Sequence, residues 1–117
     1  NLAPRSDAFT AMVQAIIDSV AKTGAAIDSA VRLPRLLEDA GFDIVSLKPI
    51  VDFVDPQNYV WQWPTAFARD FQMKLVSDGL ITPELAREAL AALARAEKDG
   101  GTRMITPMVL EIIARRR

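Results

Sequence analysis

Every glycine in the chain stands where an apolar-periodic stretch stops: Gly24, Gly41, Gly79 and the pair Gly100-Gly101. Glycine is the residue that most readily ends a helix. This spacing therefore ends four separate helical stretches instead of allowing one long rod. The starts agree with the stops. Ser6 can cap a first helix, with Asp7 near the positive end of its dipole. Phe9, Met12, Val13, Ile16, Ile17 and Val20 follow it at three-and-four spacing, which predicts one buried stripe ending at Gly24. Thr82-Pro83-Glu84 is a start signal for a fourth helix through Leu85, Ala89, Leu93 and Ala96, stopped by Gly100-Gly101.

Prolines divide what remains. Ile27 to Ala40 is helical in pattern but holds Pro34, so a short turn near Asp28–Arg32 and a tighter helix from Pro34 to Gly41 are expected. From Ile44 to Val54 the period changes: Val45, Leu47, Val51 and Phe53 share one face, and Ser46, Lys48 and Asp52 interrupt the other. That predicts a strand. Pro49 cannot donate to a ladder, so the strand belongs at a sheet edge or carries a bulge. Asp55-Pro56 turns the chain into an aromatic segment, in which Pro64 opens a third helix and Gly79 closes it with Leu80 folding back towards Leu75. Thr106-Pro107 can cap a last helix with Met108, Val109, Ile112 and Ile113 on one face. The β-branching of Val109, Ile112 and Ile113 suits a strand equally. The whole reads as α+β, mainly helical, with a two-stranded antiparallel sheet.

Composition excludes several chemistries. Half the residues are hydrophobic and a quarter charged, the balance of a chain that buries a core. Cysteine and histidine are both absent, which removes disulfides, thiolate catalysis, nearly all zinc sites and the commonest neutral-pH base. No metal site is expected. A formal net charge of −1 speaks against broad phosphate-backbone binding, and the basic cluster Arg115-Arg116-Arg117 reads as a solubilising chain end. No apolar run approaches the ~20 residues that a membrane helix needs, and Asn1 to Asp7 lack the order of a signal peptide. A cytoplasmic chain, with no membrane and no nucleic acid among its partners, is the expectation. The chain opens at Asn1, and Leu2-Ala3-Pro4 reads as the exit from a preceding element, as in a chain processed or cut from a longer one.

Four stretches, in order, carry a family resemblance: Arg32 to Phe42 (R-L-P-R-L-L-E-D-A-G-F), Trp61 to Phe67 (W-Q-W-P-T-A-F), Gly79 to Leu85 (G-L-I-T-P-E-L) and Thr106 to Arg116 (T-P-M-V-L-E-I-I-A-R-R). Together they resemble the C-terminal part of class I methyltransferases that use S-adenosylmethionine (SAM), an α/β Rossmann-like fold. The resemblance implies a helical part following the fifth strand at 1–41, a sixth, edge strand at 42–55, a helical insertion serving as substrate lid at 56–100, and a final strand at 101–117. It thus resolves the last segment, open between helix and strand, as a strand within the intact fold. It implies a substrate-side portion of an enzyme methylating a small molecule, with SAM as cofactor of the intact enzyme. The glycine-rich loop and the acidic ribose-binding residue of that family have no counterpart here, so no cofactor-binding residue is expected in this chain and it should be inactive alone.

Methyl transfer depends on aligning a nucleophile with a sulfonium carbon in a water-poor site and needs neither histidine nor metal. The residues singled out for substrate binding are Trp61, Trp63, Phe67 and Phe71, able to line an apolar pocket or face a cation. Spacing by four equally suits Phe67 and Phe71 to core packing, and the tryptophans stand before the helix, open to either role. Phe9, Met12 and Gln14 lie where that family covers its cofactor, though the first two also fit a core stripe. Asp52, Asp55 and Asp70 could assist a proton, but isolated acids near turns are usually surface groups. No catalytic residue is named. A helical protein-interaction or DNA-binding module is the competing reading, weakened by the mixed charges of Glu84, Arg87, Glu88, Arg95, Glu97 and Lys98. A homodimer through an exposed strand or helices is expected, since a two-stranded sheet leaves open edges.

Overall fold

The computed structural model describes residues 1–25 and 29–117. Its elements run β1 (Leu2–Ala3), α1 (Asp7–Lys22), α2 (Ser29–Asp39), β2 (Phe42–Ile50), β3 (Phe53–Val54), a 3-10 turn (Tyr59–Trp61), α3 (Gln62–Ser77), α4 (Pro83–Lys98), β4 (Arg103–Ile105) and β5 (Val109–Arg116). Helices dominate, with two small antiparallel sheets: an α+β chain.

The helix ends follow local chemistry. Ser6 accepts from the Phe9 amide and Thr82 from the Leu85 amide, each satisfying one of the orphan donors of a first turn. At the end of α3, Gly79 takes φ +72°, its amide donates to the Val76 carbonyl, and the Leu80 amide donates to the Leu75 carbonyl. That pair of bonds is a Schellman motif, with Leu80 brought back over the turn that Leu75 anchors.

α1, α3 and α4 enclose the main core with the three-stranded sheet β1–β4–β3, whose register sets Leu2 and Val54 both opposite Met104. Met12, Trp61, Leu75, Leu93 and Met104 are fully buried there. α1 packs chiefly on α4, whose buried side is mostly alanine (Ala86, Ala89, Ala92, Ala96), so the two backbones can approach closely. No buried side-chain nitrogen or oxygen among the described residues lacks a partner; Thr65, for example, donates to the Trp61 carbonyl at 2.8 Å.

The second sheet, β2–β5, stands apart as a two-stranded ribbon with α2 lying over one face, chiefly over β2. Ala30, Pro34 and Leu37 form the half-buried stripe of α2, and Leu110, Ile112 and Ala114 the half-buried side of β5. This lobe lengthens the molecule to 52 × 33 × 18 Å, with a radius of gyration of 17.0 Å. A compact chain of this size has about 13 Å. Arg117 ties the ribbon tip to α2: its guanidinium donates to the Glu38 carbonyl at 2.8 Å, a cation at the negative end of the helix dipole, and lies 3.6 Å from the Asp43 carboxylate.

Several expectations are corrected. One helix spans Ser29–Asp39 with Pro34 inside it, in place of a turn followed by a helix beginning at Pro34. Proline forfeits one intrahelical bond there, and the Ala30–Pro34–Leu37 stripe packed on the ribbon outweighs that loss. Ile27 and Asp28 lie outside the described residues. The expected single strand over Ile44–Val54 breaks at Val51-Asp52, because the Asp52 amide bonds to the Thr106 hydroxyl and Phe53–Val54 joins the other sheet. Its faces are also reshuffled. Ile44 opposes Ala114 but Ser46 opposes Ile113, so Val45 is the extra residue of a bulge, and alternation changes parity beyond it. The bulge thus falls at Val45, while Pro49 keeps register opposite Leu110. The sheet β1–β4–β3 was not expected, and Leu2-Ala3 is a strand within it. Arg115 and Arg116 are exposed residues at the end of β5. The last segment, which its residues left open between helix and strand, is a strand, Val109–Arg116.

Candidate functional site

The apolar stripe of α1 is wider than the core needs. Phe9, Met12, Ala15 and Ser19 are buried, which leaves Val13, Ile16, Ile17 and Val20 half-covered on the adjoining side. Across from them stand Trp63, Pro64 and Phe67 on the first turns of α3, and Met104 to Pro107 close one end. Together they bound an open groove of about 470 Å³. Phe9, Ala68 and Met104 make a buried floor, while Trp63 and Phe67 are 51% and 46% exposed at the rim. No titratable side chain among the described residues lines it. Such a groove can shed water and hold an apolar or aromatic molecule. It cannot by itself move a proton.

The four aromatic residues singled out in the sequence are divided by the fold. Trp63 and Phe67 reach the groove. Phe71 stacks behind Phe67, with ring centroids 5.1 Å apart and an interplanar angle of 16°. Trp61 faces away from it, 2% exposed, and donates its indole N–H to Glu97 at 3.1 Å. Of the α1 residues, Phe9 lines the groove, Met12 is wholly in the core, and Gln14 is exposed, donating to Asp18 at 3.0 Å. The three aspartates stay outside the groove. Asp52 meets Thr106 through its backbone, Asp55 accepts from the Gln57 amide in its turn, and Asp70 is exposed on α3.

Glu97 was not singled out by sequence, yet it carries the most elaborate polar arrangement. It accepts from both Trp61 and Arg69 beside a polar dent next to the first turns of α3. Burial pushes the Glu97 carboxyl up, but the hydrogen bonds from Arg69 and Trp61 and the charge of Arg69 outweigh it and hold the group below its ordinary value. The available signal was Trp61 itself, since a buried indole N–H needs an acceptor.

The Gly100-Gly101 turn follows a helix and leads into a strand, the reverse of a cofactor loop, and its donors are engaged: Asp99 accepts from the Gly101 amide at 3.0 Å and from the Thr102 hydroxyl at 3.2 Å. The groove offers no carboxylate to ribose hydroxyls. No cluster of three potential metal ligands occurs among the described residues, and none of their helices is long and apolar enough to cross a membrane. No protein-family model, curated protein or solved structure matches this chain.

Proposed function

We propose that this chain is the C-terminal, substrate-side portion of a SAM-dependent methyltransferase acting on a small molecule in the cytoplasm, without activity by itself. The observation that carries this reading is the unequal treatment of the two ribbon edges. β2 has two devices of a true sheet edge that β5 lacks, the Val45 bulge and Pro49. β5 has neither proline nor bulge along Val109–Arg116, and its second edge pairs with no strand among the described residues. A strand built this way suits the interior of a larger sheet, with β2 outermost, as the resemblance implies for the sixth and last strands. The cofactor-binding half would then lie against β5, in another segment or another chain.

The groove between α1 and α3 supplies what a substrate portion needs. It removes water from an apolar acceptor and fixes its orientation through Trp63 and Phe67, leaving the methyl donor to the other half. The competing interaction-module reading finds less support, because the exposed side of α4 neutralises itself through pairs such as Arg87–Glu84. Titration calorimetry with SAM tests the proposal. The expected result is no binding to this chain and clear binding when an upstream methyltransferase half is joined to it. Binding by the chain alone, or none by the joined protein, would count against it.

A further inference from the structure

We infer that two copies of this chain associate by antiparallel pairing of their β5 strands about Ile113, giving one sheet in the order β2–β5–β5–β2. Only β5 is needed for this, and the pairing uses the edge that the methyltransferase reading gives to the cofactor-binding half, so it applies to the chain without that half. The edge of β5 is eight residues long and carries neither bulge nor proline, whereas β2 is interrupted by both. α2 lies chiefly over β2, so the second copy meets a bare strand and not a helix.

The central part of β5, Glu111 to Arg115, is complementary to its own reverse. Opposed residues of an antiparallel pair share a face, so a two-fold axis must pass between two copies of one residue. With the axis at Ile113, Glu111 of each copy opposes Arg115 of the other, and Ile113, 51% exposed in the single chain, packs on itself. On the opposite face Ile112 meets Ala114. Moving the axis to Ile112 sets Glu111 against Ile113, and moving it to Glu111 sets two carboxylates together. Of the axes at Glu111, Ile112 and Ile113, only the last sets Glu111 against Arg115; it leaves Arg116 opposite Leu110.

Charge reversal tests the pairing while keeping the fold under control. Sedimentation over a concentration series should show the native chain dimerising. Glu111→Arg or Arg115→Glu alone should weaken self-association by about tenfold or more, since each brings like charges together twice across the axis. An equimolar mixture of the two variants should dimerise again, because each then supplies the charge that the other lacks. The double variant E111R/R115E should also dimerise. Within one chain its new charges oppose Lys48 and Asp43 unfavourably, so its recovery can come only from the second copy. A native chain that stays monomeric, single variants that associate like the native chain, or a mixture that remains monomeric would each overturn the inference.

Discussion

Glu97 is held between two donors of different kinds, and the consequences of losing it differ for each. Glu97→Ala leaves the Trp61 indole N–H buried without an acceptor, and this cost should dominate over the loss of the more exposed Arg69 pair. A destabilisation of about 1–3 kcal/mol in urea denaturation is expected. The same carboxylate sets an acid limit. Its pKa lies below the unfolded value, so its contribution is present above the ordinary carboxylate range and is lost as pH falls through the depressed folded value. Acid unfolding followed by tryptophan fluorescence should therefore shift less with pH in Glu97→Gln than in the native chain. At this scale the sequence was partly readable. Trp63 and Phe67 reach the groove, but the sequence left Trp63 open to either role and Phe67 suited to core packing. Trp61, two residues earlier, was not separable from them, since its partner Glu97 lies 36 residues away.

At the scale of elements, the boundaries that local chemistry controls are the ones legible in advance. The Gly79 turn is an example. No atom lies within 4 Å of a Cβ added there, so only its positive φ resists substitution. Gly79→Ala should cost about 1–2 kcal/mol in thermal or urea unfolding with little change in packing. Ser6 and Thr82 fixed their helix starts for the same reason: the bonds span three residues. What remained hidden depends on distant residues. The break after Ile50 is made by Thr106, and the sheet β1–β4–β3 joins segments from both ends of the chain. The continuity of α2 through Pro34 rests on packing against the ribbon, which no local proline rule contains.

For the whole molecule, the two lobes differ in how much they bury. No residue of α2, β2 or β5 is fully covered, whereas α1, α3 and α4 share a dense core. Regions with few buried apolar contacts open first. In dilute solution, amide hydrogen exchange should be markedly faster in α2, β2 and β5 than in the α1–α3–α4 core, as read by mass spectrometry of peptic fragments. Uniform protection across both lobes at low concentration would contradict this picture. The bulge at Val45 and the ring of Pro49 carry one more consequence. Fibre growth requires each unit to present two adhesive sides, and this ribbon presents one. A pair joined through β5 exposes a blunted strand at either flank, so assembly terminates at two and further stacking into filaments is closed off.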